Sequence, residues 1–219
     1  MMMQKHPHFI YITGCDGTGK STHARLLRQK MAAVGIETSH LWLRFPFFSS
    51  LPLLAYARWR GYSWYETKGN VRHGYWDFRQ SRLLRLLFPW FMLLDATIAA
   101  IHKIVIPQWQ GKSIVCERFV LDILVDMSLA FGERMHCTLP GKLLLHLLPA
   151  HAQVVVLDLD EATTRKRRAD LVWDKRLPDR LAAFNYLVTD LSLLRLSSLM
   201  PVADVSDTLW LTLGVGHEQ

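Results

Sequence analysis

An α/β fold in three layers, a doubly wound parallel sheet of five strands with helices on both faces, is predicted by three observations. Short apolar runs alternate with helical spacings along the chain. One run, Val154-Val155-Val156-Leu157, is apolar without alternation, as parallel strands covered on both faces are. Another, at 9–13, stops at a glycine-rich octet that opens a helix.

Residues 9–13 read as the first strand and 21–34 as the first helix, with Leu26, Leu27 and Met31 on one face and Gly35 as the stop. A second strand covers 37–43 and ends where Phe45 precedes Pro46. Residues 47–74 follow no simple period, although ten aromatic side chains fall between Phe47 and Phe78. From 79 to 109 the spacing is helical, and Pro89 predicts two helices or one kinked helix. A strand at 113–116 precedes helices at 121–131 and 141–148, the second bounded by Pro140 and Pro149. After the strand at 154–158 come basic, loop-like sequence at 165–180, a helix at 181–200, a strand at 202–205 and a terminal helix from about 206. No repeat, low-complexity tract or linker divides the chain, so 1–219 reads as one domain.

Composition excludes some classes. Half of the residues are apolar and 21% are charged, which speaks for a packed core and against disorder. A net charge of +7 fits nucleic acid, an anionic membrane or phosphorylated small molecules equally, so charge alone does not choose. Cys15, Cys116 and Cys137 have no paired or metal-type spacing, which fits a reduced compartment and a cytoplasmic location. The first nine residues lack the apolar core of a signal peptide. Arg85, Asp95, His102 and Lys103 interrupt 83–107, so no membrane-spanning segment is expected. The histidines show no short ligand repeat, and none is assigned to a metal.

The octet is Gly14-Cys15-Asp16-Gly17-Thr18-Gly19-Lys20-Ser21, followed by Thr22. Its glycines let successive backbone N–H groups face an anion, and the helix beginning near Lys20 adds its positive end. Lys20 then reaches terminal phosphates and the Ser21 hydroxyl ligates Mg²⁺. This is a phosphate-binding P-loop. In a doubly wound sheet, ligands lie beyond the carboxyl ends of the strands. Arg44, Glu117, Arg118 and Asp158 are the other candidates at strand ends.

Asp16 in the loop, Arg44-Phe45-Pro46 after the second strand and Glu117-Arg118-Phe119 after the third resemble the thymidylate kinase family. Further matches are 111–116, Val155 to Asp158 followed by Arg167, and Val202-Ala203-Asp204-Val205, so the resemblance spans most of the chain. It implies a P-loop NTPase fold, ATP and Mg²⁺ as cofactors, and small-molecule nucleotide substrates with no nucleic acid. The implied reaction is phosphoryl transfer to dTMP, giving dTDP, under a closing lid at about 165–180. Arg44, Phe45 and Arg118 would bind the acceptor within a region at about 44–110. Asp16 would contact the acceptor sugar or the water around the metal, while Ser21, Glu117 and Asp158 would attend the metal. Some members carry an arginine inside the loop and others supply it from the lid. Gly17 occupies the loop position here, so Arg167 and Arg176 are the expected lid donors, with Arg168 in reserve. The family's arginine in the long central helix is replaced by Thr97 in this register, with Arg72, His73, Arg79 and Arg82 as possible substitutes. A homodimer through 83–106 is also implied.

Several readings stay open. The aromatic stretch at 41–65 suits base stacking, a larger apolar acceptor, a dimer interface or, with Arg58 and Arg60, an anionic membrane surface. A P-loop kinase with another acceptor (a nucleoside, a sugar phosphate or an apolar phosphorylated molecule) and a non-catalytic nucleotide-binding switch are the alternatives to a dTMP kinase.

Overall fold

A computed structural model describes residues 7–44, 46–69 and 71–212. The chain runs β1 (Phe9–Gly14), α1 (Lys20–Ala33), β2 (Thr38–Trp42), α2 (Leu51–Trp59), β3 (Ser63–Lys68) and β4 (Val71–Trp76). Then come α3 (Arg82–Ala100), a π-helical turn (Ile101–Val105), α4 (Ile106–Trp109), β5 (Ser113–Glu117), α5 (Val120–Phe131) and α6 (Leu139–Leu145). The last third holds β6 (Gln153–Asp158), α7 (Glu161–Arg167), α8 (Leu177–Asp190), β7 (Leu194–Ser197) and α9 (Val202–Thr212). Five strands form one parallel sheet in the order β2-β5-β1-β6-β7. The order of winding reverses beside β1, which opens a crevice at the carboxyl ends of β1 and β5.

Burial explains the apolar strands. Phe9 and Tyr11 of β1 enter one core with side chains of α3, α5 and α8, whereas Ile10 and Ile12 enter a second core with Leu27 and Met31 of α1 and Leu209 of α9. A strand sandwiched in this way has no wet face, so it shows no polar alternation.

Residues 47–74, unreadable by period, contain α2 and the antiparallel hairpin β3–β4. Pro89 does not end α3. The irregularity lies at the π-helical turn ahead of Pro107, whose ring would press on the carbonyl four residues back in a regular helix. Contrary to the expectation for 83–107, the helix Arg82–Trp109 is long and apolar enough to cross a membrane by length and composition, with a mean hydropathy of 1.6 over its best window. Leu84, Phe88, Met92 and Ala96 on one side of it nevertheless lie in the protein core.

The C-terminal third departs furthest from the sequence reading. The segment at 165–180 is not a plain loop, because α7 includes Arg165 to Arg167 and α8 begins at Leu177. Arg165 donates to the carbonyls of Leu171 (2.6 Å) and Asp174 (3.2 Å), which fastens the connection between those helices. The final strand is β7, not 202–205, and Val202 to Val205 open α9 instead. Val-Ala-Asp-Val is too short to separate a period of two from one of 3.6.

Candidate functional site

Gly14 ends β1 at φ +138, and a Cβ there would stand 2.2 Å from the Leu157 carbonyl oxygen, so only glycine lets the loop leave between β1 and β6. Thr18 turns inward and its hydroxyl donates to the Cys15 carbonyl at 2.8 Å. The Lys20 ammonium folds over the loop to the carbonyls of Gly14 (2.9 Å) and Cys15 (2.7 Å). Its burial lowers its pKa from the ordinary lysine value. Helix α1 starts at Gly19 without a side-chain cap and carries no acid in its first turn, so its free N–H groups and positive end suit an anion.

A cleft of about 490 Å³ opens over this loop. It brings together Asp16, Gly17, Gly19, Lys20, Ser21, Thr22, Arg44, Arg118, Arg167 and the reserve Arg168 from the sequence-derived set, with Trp42 in addition. Asp16 lies among cations: Arg118 donates to it directly, while Lys20 and Arg44 each stand 3.8 Å away. Arg118 follows β5 at φ +67, an uncommon conformation for a side chain of this size. Its carbonyl accepts from the Leu43 N–H at 2.9 Å, which ties the ends of β5 and β2 together.

Two carboxylates missed by the sequence reading position these arginines. Buried Asp122 accepts from the hydroxyls of Tyr11 and Thr13, both at 2.8 Å, and from Arg118 at 3.3 Å. Asp126, one turn along α5, holds Arg44 through two contacts of 2.8 and 2.9 Å. Burial alone would lower the Arg44 pKa, yet Asp126 raises it. A carboxylate at the third position of α5 is a helix-start signal, and the four-residue step from Arg118 to Asp122 puts both on one face. Those signals were present in the sequence.

Glu117 is buried at the end of β5 and accepts from Ser21 Oγ at 2.5 Å while lying 2.6 Å from His40 Nε2. These oxygen donors beside a phosphate loop fit a hard cation such as Mg²⁺. His40 was the third residue that sequence reasoning missed. Its partnership joins β2 to β5, a pairing that spacing does not reveal.

Other candidates fall outside the cleft. Asp158 is turned to Arg195 at 2.5 Å. The Thr97 hydroxyl bonds the Leu93 carbonyl at 2.7 Å and lines a separate cleft with Trp109 and His146, so it does not face the phosphate loop. Arg176 lies away from the loop and donates to the Leu129 carbonyl at 2.7 Å. Phe45 lies outside the described residues. Arg167 bonds the Ser198 carbonyl at 2.9 Å at the rim of the cleft, and Arg168 pairs with Asp170. A Cβ on Gly17 would approach Arg168 Cγ to 3.2 Å, so the end of α7 packs directly over the loop's fourth residue.

A second cleft of about 320 Å³ shares Arg44 with the first and is walled by Tyr65, Tyr75, Trp76, Leu129, Arg176 and Arg180. Of the proposed substitutes for the central arginine, Arg72 lies over the Tyr65 ring at 3.6 Å and Arg79 pairs with Asp77, and neither lines this cleft. Elsewhere, His136, Cys137 and Asp190 bring donor atoms within 4.8 Å of one another, a grouping no spacing announced. Arg134 and His136 both pair with that aspartate, at 3.3 and 2.8 Å.

No protein-family model matches the chain, and no curated protein sequence does. Among solved structures, thymidylate kinase from Ehrlichia chaffeensis is similar, with a TM-score of 0.50 and 16% identity over 93% of this chain and 98% of that one, a likeness of fold.

Proposed function

We propose that this protein is an ATP-dependent kinase that transfers the γ-phosphoryl group to a nucleoside monophosphate, dTMP being the expected acceptor. The observation that carries the reading is the gathering of Lys20, Arg44, Arg118 and Arg167 around one crevice at the strand ends. Lys20 and the start of α1 line it together with Arg44 and Arg118, which Asp126 and Asp122 hold. Phosphoryl transfer asks the protein chiefly to hold two anions in line and to offset charge on the moving group. An acceptor phosphate oxygen bonds to the γ-phosphorus, the bond to the bridging oxygen breaks, and ADP leaves.

The donor phosphates would lie against the loop backbone and Lys20, with Arg167 or Arg168 reaching the transferred group from the lid. Bound Mg²⁺ would neutralise charge on the phosphates, held by Ser21 with Glu117 behind it. An acceptor phosphate at Arg44 would leave the remainder of the molecule in the second cleft, where Tyr65, Tyr75 and Trp76 suit a planar ring. ADP release measured over dTMP, other nucleoside monophosphates, nucleosides and sugar phosphates tests the proposal. Release stimulated by dTMP is expected. Stimulation by no monophosphate overturns the reading, and stimulation only by another acceptor overturns its dTMP part.

A further inference from the structure

Between α5 and α6 the chain makes a single 3₁₀ turn, Met135–Cys137, and three different donor types meet beside it. His136 offers a ring nitrogen and Cys137 a thiol from the turn, while Asp190, the last residue of α8, brings a carboxylate from 54 positions beyond His136. Their donor atoms all lie within 4.8 Å of one another. His136 is buried with its Nε2 2.8 Å from Asp190 Oδ2, whereas Cys137 is exposed, so solvent reaches the group from the thiol side.

Hydrogen bonds fix the turn. The Met135 N–H donates to Ser128 Oγ at 3.1 Å, the Thr138 hydroxyl to the Met135 carbonyl at 2.7 Å, and the Cys137 N–H to the Arg134 carbonyl at 3.0 Å. Gly141 of α6 packs so closely on it that a Cβ there would stand 1.8 Å from the Met135 carbonyl oxygen. Two of the three donors therefore sit on backbone that is in place before any ion arrives. Asp190 is equally ready, because the hydrogen bond from His136 and the charge of Arg134 keep its carboxyl below the usual carboxylate range.

The donor set selects the ion. Imidazole, thiolate and carboxylate are ligands of zinc, whereas Mg²⁺ and Ca²⁺ take oxygen. Donors around a tetrahedral zinc stand about 3.3–3.7 Å apart, so no separation in the group has to change by more than roughly 1.5 Å. Arg134 is the competitor. It is half exposed, stands 3.3 Å from Asp190 and also lies 3.8 Å from the centre of the Tyr186 ring. An exposed ion pair contributes little, and the ring retains the guanidinium when the carboxylate turns to a metal. Thiolate and carboxylate together cancel the charge of a divalent ion, so the loaded group does not expel Arg134.

We propose that His136, Cys137 and Asp190 bind one Zn²⁺ ion, with water in the fourth position, and that the ion clips the end of α8 to the turn ahead of α6. The Cys137 thiol gives its proton to solvent as the ion binds, and the imidazole carries its single proton on Nδ1. His136 and Arg134 line a cleft of about 440 Å³ that shares no lining residue with the phosphate cleft, so the inference is independent of the proposed reaction.

The full chain without an affinity tag is stripped with a chelator and titrated with Co²⁺, a coloured stand-in for zinc, and then with Zn²⁺. One equivalent of Co²⁺ is expected to give a thiolate-to-cobalt charge-transfer band and the visible bands of tetrahedral cobalt, both erased by Zn²⁺. Cys137→Ser, at an exposed position, removes the charge-transfer band and weakens binding by about tenfold or more while keeping the wild-type thermal melt. Asp190→Asn weakens binding about tenfold, and Arg134→Gln, which frees Asp190, strengthens it several-fold. Zn²⁺ also slows alkylation of Cys137 in the native protein, followed by mass spectrometry, and chelator restores the rate. The proposal is overturned if one equivalent of Co²⁺ gives no charge-transfer band, if the band survives in Cys137→Ser, or if Zn²⁺ leaves the alkylation rate of Cys137 unchanged.

Discussion

Arg167 and Arg176, nine residues apart, belong to different clefts, so their loss is expected to have different kinetic signatures. Arg167→Ala should lower turnover by about 10²-fold or more with little change in ATP affinity, as loss of a charge-stabilising donor does. Arg176→Ala should instead raise the acceptor KM about tenfold with turnover nearly kept. Steady-state kinetics on both variants checks the division, and equal effects on turnover would refute it. His23 offers a pH test. Burial, and then the nearby charge of Arg167, lower its pKa below the ordinary histidine value, and its buried Nδ1 has no hydrogen-bond partner among the described residues. As pH falls through about 6.5, the unfolded chain takes up a proton that the folded chain resists, so the stability tied to this group is complete above that pH and drains below it. Urea unfolding at pH 7.5 and 5.5 should show a smaller loss on acidification in His23→Gln than in the wild type.

At the scale of elements, Asp95 does for α2 what no local residue does. Ser50 caps the helix by position without a side-chain cap bond, and the Asp95 carboxylate reaches across from α3 to three N–H groups and to the Ser49 and Ser50 hydroxyls, both at 2.6 Å. Burial opposes ionisation there, yet those hydrogen bonds hold the carboxyl below its ordinary pKa. Asp95→Ala should destabilise the protein by about 3 kcal/mol, because it strands buried donors, and chemical denaturation measures this directly. The contact joins residues more than forty positions apart, so the sequence suggests an acid near Thr97 without saying what it holds. The misplaced final strand has a related cause. Leu194-Arg195-Leu196-Ser197 lies at the sheet edge, pairs among the described residues only with β6 and is mostly exposed, so it lacks the unbroken apolar signature that made β6 legible. Its leucines continue the spacing of α8, and helix and strand are separated there only by the pairing with Val155 to Asp158.

The whole molecule buries two cores on opposite faces of one sheet, and two of its three cysteines, Cys15 and Cys116, lie in the larger of them. Cys15 and Cys116 are buried, and burial raises both thiol pKa values, whereas Cys137 is exposed. A thiol reagent at neutral pH should label one cysteine in the native protein and three in denaturant, counted by mass spectrometry. Rapid labelling of all three in native conditions would mean that the core around β1 and β5 opens readily.

The sequence by itself determined the parallel sheet and the phosphate loop, since a buried strand must be apolar throughout and a backbone cradle needs glycine at fixed steps. Gly14, Lys20 and Ser21 were legible as parts of one loop for that reason, and Arg44 and Arg118 as residues at strand ends. Only tertiary structure decided which of these residues share a cleft. Thr97, Asp158 and Arg176 carry suitable chemistry, but the directions of α3, β6 and α8 turn them elsewhere, while Asp122, Asp126 and His40 gain their tasks from partners far away in the chain. Spacing encodes the face of an element, whereas the meeting of faces depends on how whole elements pack.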